Sequence, residues 1–153
     1  MKREIMLTKR YEEVLDMLEK DGMSITKLTE GERSEISRDG RAMEIAVASN
    51  VRALAYASRK LKSDKGYMYH LINDVNPLAM FYCYTSWFRN KYFVENMRSV
   101  ALRETKKYNI SKLGYLYNKY IDKKVQQAKK AEMEKMFVYE CEYKQEKSNN
   151  ITQ

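Results

Sequence analysis

At 153 residues, 44% hydrophobic and 33% charged, the chain has the size of one domain and enough apolar content to bury a core without metal or disulfide staples, which excludes a largely disordered polymer. A single Pro and five Gly leave few points at which a helix must stop, so the expected fold class is all-α. The formal charge of +8 attracts anionic partners and speeds encounter with them, but it does not specify a fold.

The first predicted element covers residues 8 to 20, where Tyr11, Val14, Leu15 and Leu18 share one face of an amphipathic helix and Glu12, Glu13, Asp16 and Glu19 lie elsewhere. Asp21-Gly22 ends it. Ser24 to Leu28 form a further turn or two, and Gly31 with the polar run to Arg38 reads as a loop. From Asp39 a pattern recurs. Asp39-Gly40-Arg41 opens a helix through Met43, Ile45, Ala46 and Val47, and Asn50 precedes a second over Val51 to Leu61. The opening returns at Asp64-Lys65-Gly66 and at Asn90-Lys91-Tyr92, at intervals of 25 and 26 residues. The second half returns as well, Asn50-Val51-Arg52-Ala53-Leu54-Ala55-Tyr56 comparing with Asn109-Ile110-Ser111-Lys112-Leu113-Gly114-Tyr115. Asp, Asn and Ser supply side-chain acceptors for the free N–H groups at a helix start, so capping explains the residue types, and the period points to stacked helical pairs.

Asp39 to Asp64, with Ala46, Val47 and Asn50 followed by Leu54-Ala55-Tyr56-Ala57-Ser58 and Leu61-Lys62 before Asp64, resembles a family of short helical repeats of unknown function found in bacterial and protist proteins. The match covers one good unit with decayed copies. It departs after Pro77, where Phe81-Tyr82-Cys83-Tyr84-Thr85-Ser86-Trp87-Phe88 replaces the Tyr-Ala-Ser run. The resemblance implies a helical-repeat fold and a binding role, because the family has no assigned activity.

Beyond Ser111 one long helix is expected to about Tyr143, with Leu113, Leu116, Tyr117, Tyr120, Val125, Ala128 and Met136 on one face. The domain reading is a single all-helical domain over 1–145, an irregular repeat or bundle array of about seven helices, with a frayed tail over 146–153. No stretch approaches the roughly 18 apolar residues of a membrane span, and Met1-Lys2-Arg3-Glu4 lacks the apolar core of a signal peptide. A cytoplasmic protein with no membrane partner is expected. Cys83 and Cys141 lie far apart among aromatic residues, which suits buried thiols better than a disulfide.

The residues give little support to catalysis. A lone histidine, His70, cannot supply a two-His metal site, neither HExxH nor paired CxxC occurs, and the isolated glycines form no phosphate-cradling loop. No metal and no cofactor are expected. His70 and Asp74 stand one helical turn apart and could form an acid–base pair, with Cys83 as a remote nucleophile, but a packed or half-exposed histidine is the commoner outcome.

Charge is distributed unevenly. Residues 89 to 130 hold Arg89, Lys91, Arg98, Arg103, Lys106, Lys107, Lys112, Lys119, Lys123, Lys124, Lys129 and Lys130 against Glu95, Glu104 and Asp122. The first 38 residues are nearly balanced, and 132 to 153 are slightly acidic. Tyr92, Phe93, Tyr108, Tyr115, Tyr117 and Tyr120 lie in the basic segment. Phosphate neutralisation by the lysines with Tyr108 or Tyr115 stacking on bases would give single-stranded RNA or DNA binding; the same residues would also serve as a solvated face and a core. The aromatic cluster from Tyr67 to Phe88 is either a central core or an interface, and it leaves room for a homodimer seam.

The expectation is a non-enzymatic protein acting stoichiometrically on a macromolecular partner, most plainly a protein, one that carries nucleic acid included. Trp87, Tyr84 and Phe88 would form the aromatic contact, and the basic residues from Arg89 to Lys130 would steer approach. The composition, rich in Lys, Tyr, Asn, Ile and Met, resembles AT-rich bacterial genomes and their mobile elements and would suit a phage or mobile-element inhibitor of host nucleic-acid-targeting machinery.

Overall fold

The computed structural model describes residues 2–151, with side chains from Lys9 to Asn149. Among the described residues there is no strand, and short 3-10 helices are interspersed among the α-helices. The chain divides into two compact units, Met1–Tyr84 and Thr85–Gln153.

The first unit holds α1 (Lys2–Lys20), α2 (Glu30–Arg38), α3 (Gly40–Ser49), α4 (Arg59–Ser63) and α5 (Lys65–His70), which continues into a π turn over Leu71–Val75. Two 3-10 helices lie between them, at Gly22–Lys27 and Val51–Tyr56, and a third, Pro77–Tyr82, follows the π turn. A recurrence that the sequence reading did not pick out joins these three 3-10 helices. Asp21, Asn50 and Asn76 each precede a 3-10 helix with φ from −153° to −150° and ψ of 111° to 112°, and each side chain accepts the N–H two residues on. Such side chains satisfy donors that the helix itself leaves free. Each 3-10 helix then ends on an extended residue, Leu28, Ala57 or Cys83.

Burial follows the same register. Counting from each cap, the third, fourth and seventh residues are buried: Ser24, Ile25 and Leu28, then Ala53, Leu54 and Ala57, then Ala79, Met80 and Cys83. In α3 and α5 the apolar face likewise returns, as Met43, Ala46 and Val47 and as Met68, Leu71 and Ile72. With Val14, Leu15 and Leu18 of α1, these side chains form the unit's core. Gly22 allows a close approach to α3. Its N–H donates to Ser49 Oγ at 3.1 Å, and a methyl group placed there would fall on the Ala46 carbonyl.

Residues 31 to 38, expected as a loop, are α2. Thr29 accepts the Glu32 N–H at 3.3 Å and Glu32 accepts the Thr29 N–H at 3.2 Å, a reciprocal capping box. The single helix expected over Val51 to Leu61 is instead a 3-10 helix and α4, divided at Ala57-Ser58 where Ser58 caps the second piece.

The second unit holds a 3-10 helix over Thr85–Arg89, α6 (Lys91–Tyr108) and α7 (Ser111–Ile151). Asn90 caps α6 by accepting the Phe93 N–H at 3.1 Å. Asn109 closes α6 in the left-handed conformation, φ 53° and ψ 40°, so its likeness to the extended Asn50 is in residue type only. The core joins Trp87, Phe88, Phe93, Met97, Val100 and Ala101 to Tyr117, Ile121 and Ala128 of α7. The rings of Trp87 and Phe88 meet Phe93 edge-on at 5.8 and 5.1 Å, the arrangement that ring quadrupoles favour. Helix α7 runs past Tyr143, and the tail expected to fray from residue 146 is helical as far as Ile151; its last two residues lie outside the described ones.

Candidate functional site

The structure separates the expected site residues into two groups. Trp87 and Phe88, expected to contact a partner, are buried at 8% and 1% exposure in the core of their own unit, and Tyr84 is half-buried. At that burial little aromatic surface of Trp87 or Phe88 remains for a partner. The basic segment also divides. Arg98 bonds Asp122 at 2.6 Å and Asn118 at 2.8 Å, Arg89 lies 3.7 Å from Glu132 and Lys91 lies 3.9 Å from Glu95. Lys124 reaches Thr85 at 3.3 Å and covers the Tyr120 ring. Among the described residues no ion pair engages Lys106, Lys107, Lys112, Lys119, Lys123, Lys129 or Lys130. Those cations face solvent.

The distal half of α7 buries none of its described side chains. Every described side chain from Lys129 to Asn149 is exposed, and among them Met133, Met136, Phe137, Val138, Tyr139 and Tyr143 show between 50% and 70% of their surface. Met136 and Leu116, expected on the buried face, are at 62% and 51% exposure, so the buried stripe of α7 ends at Ala128. Cys141, expected to be buried, lies on this exposed stretch too. The sequence carried one signal of this arrangement. Met136-Phe137-Val138-Tyr139 are consecutive, and at about 100° per residue four neighbours cannot share one helix face.

Three other titratable groups have pKa values shifted by their surroundings. His70 bridges two elements, Nε2 to Glu44 at 3.0 Å and Nδ1 to Asp74 at 3.1 Å, and the hydrogen bonds to Glu44 and then to Asp74 raise its pKa above the ordinary 6.5. Glu32, bonded by Arg10 at 2.7 Å and by the Thr29 N–H, is held down to about 2. Burial pushes the Cys83 thiol up to about 12, so it stays protonated near neutral pH and lacks the thiolate that a nucleophile needs. The described residues contain no group of three or more His, Cys, Asp or Glu placed to hold a metal ion, and no described helix is long and apolar enough to cross a membrane.

No family model matches the chain, and neither a curated protein nor a solved structure does.

Proposed function

We propose that this protein is a non-enzymatic, cytoplasmic binding protein that acts stoichiometrically on a protein partner, and that it grips that partner with the distal half of α7. One observation carries the reading: six large apolar side chains between Met133 and Tyr143 stand at least half exposed on a stretch of helix where every described side chain is exposed. Isolated exposed apolar residues are ordinary, but six within eleven residues of one helix mark an interface. Covering each of them would contribute about 1 to 2 kcal/mol of transfer free energy, which is the scale of a strong contact site.

The charge of the same stretch favours protein. From Lys129 to Asn149 five lysines alternate with five glutamates, so this end has no net attraction for a polyanion, and it suits an apolar groove rimmed by both signs. The recurring caps and buried register of the first unit are consistent with the helical-repeat class that the sequence resembles, a class that works by presenting surfaces. Within this reading, the composition fits a phage or mobile-element product that inhibits host nucleic-acid-targeting machinery.

The test is a photo-crosslinking amino acid at Phe137, with Arg52 as a control position, introduced in cells of the natural source. A dominant adduct from position 137 that is absent from position 52, and lost when Met136 and Tyr139 are also changed to Ser, supports the reading. Equal, diffuse adducts from both positions overturn it. Sedimentation of the purified chain across a concentration series identifies the partner as a second copy or as another protein.

A further inference from the structure

A surface of different chemistry lies at the turn between α6 and α7. From Thr105 to Ile121 the chain holds no acidic residue, while Lys106, Lys107, Lys112 and Lys119 are all exposed. Arg98 shows what a nearby carboxylate does to a cation in this unit: Asp122 takes up its guanidinium at 2.6 Å. Among the described residues the four lysines have no ion pair of that kind. Two aromatic rings are interleaved with them, Tyr108 at 55% and Tyr115 at 63% exposure. The unit does not need either ring for its core, which takes Tyr117 at 4% instead. Lys107 Nζ stands 5.3 Å from the centre of the Tyr108 ring, so a cation is already held beside one of the two faces.

We infer that this turn binds single-stranded nucleic acid, with Tyr108 and Tyr115 stacking on unpaired bases and Lys106, Lys107, Lys112 and Lys119 holding the phosphates. Stacking needs a base face, and a duplex hides its base faces, so rings and cations together select the single strand where cations alone would accept either form. An acidic peptide would use the lysines but offers nothing for two rings to stack upon. This surface does not depend on the distal half of α7, and it stands or falls separately from it.

Fluorescence anisotropy of labelled oligouridine and oligothymidine, of a duplex of equal length and of oligoglutamate, on the full chain across a salt series, tests the inference. The expected result is single-strand binding tighter than duplex binding by roughly tenfold or more. Tyr108→Ala and Tyr115→Ala should each weaken it by about tenfold while Tyr→Phe at either site preserves it, because the ring face and not the hydroxyl makes the contact. Changing the four lysines to Gln should reduce the slope of log affinity against log salt by about 0.7 per lysine. All six side chains are exposed, so thermal melting followed by circular dichroism should be unchanged in every variant. Equal affinity for duplex and single strand, indifference to Tyr→Ala, or tighter binding to oligoglutamate or to anionic vesicles would each overturn the assignment.

Discussion

The first unit and the distal half of α7 are both helical, but they are held in opposite ways. In the first unit no α-helix after α1 exceeds ten residues, and nearly every start has a side-chain cap. Helices that short are unstable alone, so they persist because Ile25, Met43, Leu54, Met68 and Met80 are fully buried. From Lys129 to Asn149 α7 has no buried side chain and rests on local terms: good helix formers such as Ala, Glu, Lys and Met, and opposite charges four residues apart, as at Glu140 and Lys144. A segment that keeps its shape without tertiary support while displaying Met, Phe, Val and Tyr is suited to meeting a partner, whereas the capped array is suited to being a scaffold.

The comparison is broken most sharply inside the scaffold. Gly22→Ala should cost about 3 kcal/mol, because the added methyl meets the Ala46 carbonyl, and backbone cannot turn aside as a side chain can. Equilibrium urea unfolding measures it, and an unchanged midpoint would mean that the close approach of Gly22 to α3 is absent in solution. Asp39→Ala should cost about 2 kcal/mol, roughly half for the cap on Ala42 N–H at 3.1 Å and half for the Tyr11 hydroxyl bond at 2.6 Å. Tyr11→Phe should show the second half alone.

The sequence made legible whatever repeats with residue type. The caps at Asp39, Asn50, Asp64 and Asn90 and the buried face of α1 are where spacing puts them, because both depend on the nearest few residues. Helix α2 escaped because Ile36 is its one buried residue and Gly31 suggested a break, although Thr29-x-x-Glu32 was a visible capping signature. The aromatic residues escaped for a different reason. Trp87 and Tyr115 are equally plausible in a core or an interface by type, and only tertiary packing makes one buried and the other exposed. Helical spacing along α7 does not reveal where its neighbours end, so by spacing Met136 falls with Tyr117 and Ala128, although it is exposed and they are buried.

Two ion-paired sites should give the scaffold pH dependences of opposite sign. The folded pKa of His70 lies above its ordinary value, so its contribution is complete below about pH 6.5 and disappears as pH rises through the folded value. Glu32 is depressed to about 2, so its contribution is present above the ordinary 4.5 and disappears as pH falls toward 2. His70→Gln should flatten the first slope and leave the second, and Glu32→Gln the reverse. Both sites are partly exposed, so the changes are small beside those of Gly22 and Asp39. Thermal melts at stepped pH would show them, and a slope that survives both substitutions would place the titration elsewhere.

The smallest expected effect on stability belongs to the site with the largest proposed role. Phe137→Glu should shift the unfolding midpoint by no more than about 0.5 kcal/mol in dilute protein, since a 68% exposed ring on an uncovered helix loses no packing when it is replaced. The same substitution should abolish partner capture, because a charge in an apolar groove is desolvated without compensation. A loss of more than about 1 kcal/mol would exceed the range of an exposed site and would show that the ring is covered in the free protein. If that loss grows with protein concentration, the cover is a second copy, since association stabilises by mass action. If it does not, α7 folds back on its own chain, and the contrast between a supported scaffold and an unsupported helix fails.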